Sequence, residues 1–235
     1  MYNSILLTLC GVFLAPLVFS QSISVNGLNL NQTTGACDPS TFQIVGTASV
    51  NSTCIQLNEA GNFKQGGFWA CNTISLDQSF KLNLKANFGS DQNTGDGIAF
   101  VLQEEGLGVI GGTGGGMGYA NGNPINCIGG ACPIEPSVII EFDTYNGSAF
   151  GDNDTPCNHS SIQINGSTSS FSSISDPECL LPSGISIVDG NEHDICITWN
   201  PFTLEYKVYF DDALVTNYNG DIRSFFTSPS SVYWG

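Results

Sequence analysis

Phe80-Lys81-Leu82-Asn83-Leu84-Lys85-Ala86-Asn87-Phe88 alternates apolar and polar side chains without a break. Such a period suits an extended strand with one wet face, because successive strand side chains point to opposite sides. His193 to Trp199 alternates again, and Leu204 to Phe210 follows after Asn200-Pro201-Phe202, which predicts a hairpin. Further strands are expected at 41–47, 66–70, 97–103, 138–144 and 161–164. No window carries sustained helical periodicity. The 28 glycines and 10 prolines fit long turn-rich segments, at 89–95, 111–130, 147–158 and 167–184. Many short strands joined by polar turns predict an all-β fold, with two antiparallel sheets packed as a β-sandwich. Loops cluster at the ends of such sheets and carry function there. Three stand out: the turn at Asp96, the glycine loop 111–118 and the acidic loop 146–159.

The chain opens with an apolar run from Ile5 to Phe19, too short to span a bilayer. It closes on Val18-Phe19-Ser20-Gln21. The expectation is a secretory signal peptide at 1–20, a leader at 21–36 and one domain at 37–235, in a secreted or cell-surface protein. Loss of the signal would remove Cys10 and leave Cys37, Cys54, Cys71, Cys127, Cys132, Cys157, Cys179 and Cys196. An even count in an exported chain argues for disulfides, and Cys127–Cys132 and Cys157–Cys179 are the pairs expected. No C-x-x-C spacing occurs, which speaks against a zinc–thiolate site. The formal net charge of −16 argues against nucleic acid and anionic membrane surfaces as partners, and no membrane insertion is expected. Nothing in the sequence sets an oligomeric state.

The segment Val138-Ile139-Ile140-Glu141-Phe142-Asp143-Thr144-Tyr145-Asn146 carries the most chemistry. Alternation turns Glu141, Asp143 and Tyr145 to one face and Ile140, Phe142 and Thr144 to the other. Two carboxylates on one face of an apolar strand repel each other and lose hydration. With only five Lys and Arg in the chain, a divalent cation is the compensating charge expected. Oxygen donors at Asp143, Asn146, Asp152 and Asp154 suit calcium. His159 suits a neighbouring transition ion such as manganese, since imidazole is a poor calcium ligand. Asp152-Asn153-Asp154 begins like an EF-hand loop, but Pro156 stands where the third oxygen ligand belongs. The competing reading of 141–159 is a solvated acidic loop with one surface histidine.

Asp96, between Gly95 and Gly97, is either an ordinary turn aspartate or a carboxylate that accepts hydrogen bonds from vicinal hydroxyls. The loop Gly111-Gly112-Thr113-Gly114-Gly115-Gly116-Met117-Gly118 offers bare backbone for close approach to a ligand. Gly106 to Gly111 matches G-x-G-x-x-G, but more glycine follows instead of the helix that a dinucleotide needs. His193 reads as a surface residue with no role, and no Ser-His-Asp arrangement is defensible.

At these residues the chain resembles the legume-type (L-type) lectin domain, particularly versions in secreted bacterial proteins. The resemblance covers residues 37–235. It is carried by Asp-Gly-Ile-Ala-Phe at 96–100, the loop at 114–118, Glu-Phe-Asp-Thr-Tyr at 141–145 and Val232-Tyr233-Trp234-Gly235, in the family's order. The resemblance implies a concanavalin-like jelly-roll sandwich, a secreted glycan-binding and non-catalytic role, and a calcium ion beside a manganese or other transition ion. Glu141 and His159 would bind the transition ion, Asp143 and either Asp152 or Asp154 would bridge both, and the Tyr145 carbonyl and Asn146 would complete calcium. Asp96, the Gly115 amide and Asn146 would then hold sugar hydroxyls. Asn146 lies five residues after Glu141 where the family usually has six, His159 lies further downstream than in plant members, and Asn158 stands where bacterial relatives often carry Asp. Plant members have a non-proline cis peptide before the sugar-binding aspartate, which Gly95 would tolerate. The family's closing strand is expected to be truncated at residue 235.

Two other functions remain open to the sequence. A laminarinase-like hydrolase on a similar sandwich needs a strand of the form Glu-x-Asp-x-(x)-Glu. Here Tyr145 and Asn146 occupy the two places for the second glutamate, so the proton donor is missing. A structural adhesion domain would use its metals only to stiffen loops, and the glycine loop beside Asp96 speaks against that.

Overall fold

The computed structural model describes residues 42–50, 54–59, 61–92, 95–122, 128–129, 132–145, 155–169, 172–182 and 184–235, with the backbone of 20–22. Its strands are β1 (Ser20–Ser22), β2 (Phe42–Gly46), β3 (Ser49–Val50), β4 (Ile55–Gln56), β5 (Gly66–Ala70), β6 (Ser79–Asn87) and β7 (Gly97–Gln103). They continue as β8 (Ser137–Asp143), β9 (His159–Ile164), β10 (Glu178–Cys179), β11 (Glu192–Asn200), β12 (Glu205–Phe210), β13 (Ala213–Asn219) and β14 (Tyr233–Trp234). A back sheet runs in the order β1-β6-β11-β12-β13 and a front sheet in the order β10-β9-β8-β7-β14. Two short pairs, β2-β5 and β3-β4, complete the set. Pairing is antiparallel except where β1 lies parallel on the edge of β6. This is the all-β sandwich that the alternation predicts, and the expected hairpin is the β11–β12 pair.

Parity decides what is buried. Leu82, Ile195, Ile197, Trp199, Tyr206 and Val208 of the back sheet meet Phe100, Leu102, Val138, Ile140 and Phe142 of the front sheet in the main core. Val101 and Ile139, on the other face of the front sheet, pack into a second cluster with Val45, Trp69, Val109, Ile110, Tyr119 and Ile134. The front sheet is thus covered on both sides, which explains the unbroken apolar run Val138–Ile140. The cover comes from residues 107–120, which carry the glycine loop, and from Ile134. The Trp69 indole fixes it by donating to the Val109 carbonyl at 2.8 Å.

β13 was not foreseen. Its turn, Asp211-Asp212, has φ of 46° and 66°, as a two-residue type I′ hairpin requires, and Asp is among the residues that tolerate it. His193 corrects the surface assignment. It shares parity with Ile195 and Ile197, so it turns inward and is buried, stacked on Phe210. Its Nδ1 lies 2.8 Å from Asp211 and its Nε2 3.4 Å from Asp189. Cys157 and Cys179 form the expected disulfide. Cys71 and Cys132 are each half of a disulfide, while Cys127, the partner expected for Cys132, lies outside the described residues. Residues 1–19, the bulk of the expected signal segment, lie outside them too. Among the described residues no helix is long and apolar enough to cross a membrane.

Candidate functional site

Register brings the predicted residues together at one end of the front sheet. Gly97 pairs with Asp143, and Asp143 with His159. One step along, Ala99 pairs with Glu141, and Glu141 with Ser161. Ser161 and Gln163 both donate to Oε2 of Glu141, at 2.7 and 3.1 Å. His159 has their parity and therefore faces the same side. Glu141, Asp143 and His159 thus share the outer face of the front sheet, as alternation requires.

Glu141 is only 3% exposed. Its Oε1 accepts from the Tyr119 hydroxyl, so three neutral donors surround one buried carboxylate. A buried charge needs such partners. Tyr119 belongs to the end of the glycine loop, so this contact also ties that loop to β8. Ser161 and Gln163 were within reach of sequence reasoning, through parity opposite Glu141. Tyr119, far away in the chain, carried no local signal.

Asp96 follows a cis peptide from Gly95. Its carbonyl accepts the amide and hydroxyl of Thr144, at 2.9 and 3.1 Å, which ties the turn to the end of β8. Its side chain is half-buried, and burial holds the carboxyl above the usual carboxylate range. Tyr145, nearly half exposed, lies directly on Gly95: a Cβ there would meet the Tyr145 Cβ at 2.9 Å. Gly97 (φ 149°) is as confined, since a Cβ would fall 2.2 Å from the Phe142 carbonyl oxygen and 3.0 Å from Met117 Cε. Met117 therefore brings the glycine loop against the start of β7.

Within that loop Gly111, Gly112 and Gly116 serve the backbone itself. A Cβ at Gly112 would come within 2.1 Å of the Gly122 nitrogen, and one at Gly111 within 2.4 Å of Tyr119. Gly111, Gly112 and Gly118 donate to the carbonyls of Gly118, Ala120 and Gly112. The expectation of bare backbone for a ligand applies only to the tip. Gly114–Gly116 form a single 3-10 turn, Gly115 is exposed, and a Cβ on it would touch nothing within 4 Å.

Asp143 is partly exposed and its Oδ1 accepts the Tyr145 amide at 2.6 Å. His159 is buried, with Nδ1 3.3 Å from the Cys157 carbonyl. Donation from Nδ1 to that carbonyl would leave Nε2 as the ligating nitrogen, since metal-bound histidines are usually oriented by a hydrogen bond from their other ring nitrogen. Among the described residues no three His, Cys, Asp or Glu side chains converge on one point. Asn146, Asp152 and Asp154 lie outside the described residues. The oxygen donors at Asp143 and Tyr145 fit calcium in kind, and His159 fits a transition ion. Glu141 could join that ion only by sharing oxygens already engaged in hydrogen bonds.

The fold and this loop-built end define a two-sheet jelly roll with a candidate site at the rim of its front sheet. A family model for the legume lectin beta-barrel domain matches residues 33–235, and the chain belongs to this L-type lectin family. Solved structures share the fold at low identity. Peanut lectin, solved with a nine-residue peptide, is 21% identical with a TM-score of 0.62, covering 86% of this chain and 84% of its own. Basic winged bean lectin, solved with Tn-antigen, is 17% identical with a TM-score of 0.60, over 83% and 80%. The exoplasmic/lumenal domain of VIP36, in a Ca2+/Man3GlcNAc-bound form, is 12% identical with a TM-score of 0.57, over 82% and 76%.

Proposed function

We propose that this domain is a secreted or cell-surface lectin that binds saccharides without transforming them. The observation that carries the reading is the Asp96 carboxyl. It is half-buried, has no hydrogen-bond partner among the described residues, and stands beside an exposed aromatic ring, with Met117 of the glycine loop reaching the neighbouring Gly97. An ionised carboxylate offers only acceptors, and vicinal sugar hydroxyls offer the matching donors. The Gly115 amide and the Asn146 side chain would hold further hydroxyls, and Tyr145 would pack against the ring. That other members of this fold were solved with Tn-antigen and Man3GlcNAc supports glycans as the ligand class.

Asp143, the Tyr145 carbonyl, Asn146 and Asp152 or Asp154 would hold calcium; Glu141 and His159 would hold manganese or another transition ion. When bound, the ions supply positive charge against the clustered carboxylates. The enclosure of Glu141 among Tyr119, Ser161 and Gln163 supports a non-catalytic role, since a general acid must reach its substrate. The Cys157–Cys179 disulfide supports an oxidising compartment.

A glycan array run with calcium and manganese, then repeated after chelation, tests the reading. The expected result is binding to a defined glycan set, lost on chelation, with no sugar released. Binding that ignores the chelator would sink the metal-organised pocket, and release of sugar would replace the lectin by a hydrolase.

A further inference from the structure

Asn158 belongs to no ligand set above, yet it joins the end of β8 to a distant stretch of chain. Its Nδ2 donates to the Thr144 carbonyl at 3.1 Å, and its Oδ1 accepts the Ile187 amide at 3.0 Å. Its backbone is pinned as well. The Leu180 amide donates to its carbonyl at 2.9 Å, Cys157 before it is bonded to Cys179, and His159 after it opens β9.

Both side-chain contacts lead back to Asp96. Thr144 donates its amide and its hydroxyl to the Asp96 carbonyl. From Ile187 the chain runs to Gly190, whose amide donates to the Gly89 carbonyl at 2.7 Å and whose carbonyl accepts the Asn87 side chain at 2.8 Å. Gly89 lies in the segment that leads to Asp96. Asp96, Thr144, Asn158, Ile187, Gly190 and Gly89 are therefore joined by hydrogen bonds and chain, a ring whose last side, from Gly89 to Asp96, is covalent chain that includes residues 93–94 outside the described ones. Asn158 contributes both a donor and an acceptor to it from a fixed backbone, which makes it a strut between the end of β8 and the stretch 187–190.

We infer that Asn158 is a positioning residue of the saccharide pocket: it sets where Thr144 holds Asp96, and it couples that turn to the strap 187–190. The consequence for affinity rests on the saccharide reading; the ring itself does not. Neither contact touches a ligand directly, so the effect is on pre-organisation.

Amide hydrogen exchange and glycan affinity, measured in parallel on the wild type, Asn158→Ala and Asn158→Asp, test this. Asn158→Ala is expected to speed exchange of the Ile187, Thr144 and Gly190 amides about tenfold, with the interiors of β6, β8 and β11 unchanged. It is expected to weaken binding of the array-selected glycan about tenfold, the scale of one lost hydrogen bond. Asn158→Asp keeps the acceptor for Ile187 and loses the donor to Thr144, so only the Thr144 side should loosen. Wild-type exchange at Thr144 and Gly190 in Asn158→Ala would overturn the inference, as would faster exchange with unchanged affinity. If the wild type binds no glycan, the saccharide reading falls by itself, and the exchange pattern still decides for or against the ring. Should Asn158→Ala not fold, Asn158→Asp and Thr144→Val, which removes only the hydroxyl arm, carry the same comparison.

Discussion

Asp96 is the residue at which stability and binding pull apart. Burial raises its pKa, so the folded chain holds a proton on this carboxyl more tightly than the unfolded chain does. By linkage, stability then falls as pH rises from the usual aspartate range through the raised value. The ionised form costs the fold something and offers the acceptors that hydroxyls need. Asp96→Asn keeps the shape and removes the charge. Calorimetry should show it unfolding at the same or a higher temperature than the wild type at neutral pH, and binding assays should show no glycan retained. Wild-type binding should fade on acidification as the pH drops through the raised value, earlier than an unperturbed aspartate would allow. A variant that loses stability and keeps its ligand would show that Asp96 supports the turn and not the sugar. The sequence marked this position through the flanking glycines, but not why they are needed. Gly95 must admit Tyr145, and Gly97 must admit Met117 and the Phe142 carbonyl.

At the scale of elements, legibility followed periodicity. β6, β11 and β12 were readable because apolar and polar residues alternate along them, β8 because an apolar run ends in two carboxylates, and parity alone turned Glu141 and Asp143 to one face. The same rule applied to His193 would have buried it. What periodicity cannot reach is contact across the chain. Tyr119 meets Glu141, Trp69 meets Val109 and Asn158 meets Ile187 through folds of loop that no local pattern encodes. The glycine loop shows the limit clearly: its composition suggested a ligand cradle, but Gly111, Gly112 and Gly116 are used where two backbones touch. The Cys157–Cys179 bridge fixes the loop end next to His159 and Asn158 across 22 residues of sequence. A loop of that size implies about 3 kcal/mol of stabilisation through the unfolded chain. Replacing both cysteines by serine should lower stability by about that amount in urea melts, with the m-value rising as the unfolded chain expands. Glycan affinity should fall with it, because β10 and Asn158 are then held only by hydrogen bonds. Unchanged affinity in a still-folded double variant would remove the bridge from any account of the site.

The charge of the whole molecule sets the last constraint, on which glycans can approach. The chain carries −16 and only five Lys and Arg, all in described segments. Lys81, Lys85 and Lys207 have the parity opposite to Leu82, Leu84, Val208 and Phe210, so they stand on the outer face of the back sheet, across the sandwich from the site. Lys85 and Lys207 are further engaged by Asp194 and Glu205. Arg223 is held by Asp221, and Lys64 lies just before β5. None of these comes from the turn at Asp96, the glycine loop, or the ends of β8 and β9. Even two bound divalent ions would leave the net charge strongly negative. An anionic glycan therefore meets net repulsion with no Lys or Arg side chain at the site to answer it, and a neutral one does not. For a neutral glycan selected on the array, its sialylated or sulfated form should bind more weakly. That deficit should shrink as salt rises from about 10 mM to about 1 M, because the screening length falls from about 30 Å to about 3 Å. Titrations of both forms at the two ionic strengths check the sign. Tighter binding of the sulfated form at low salt would demand a basic subsite that the positions of these five side chains do not provide.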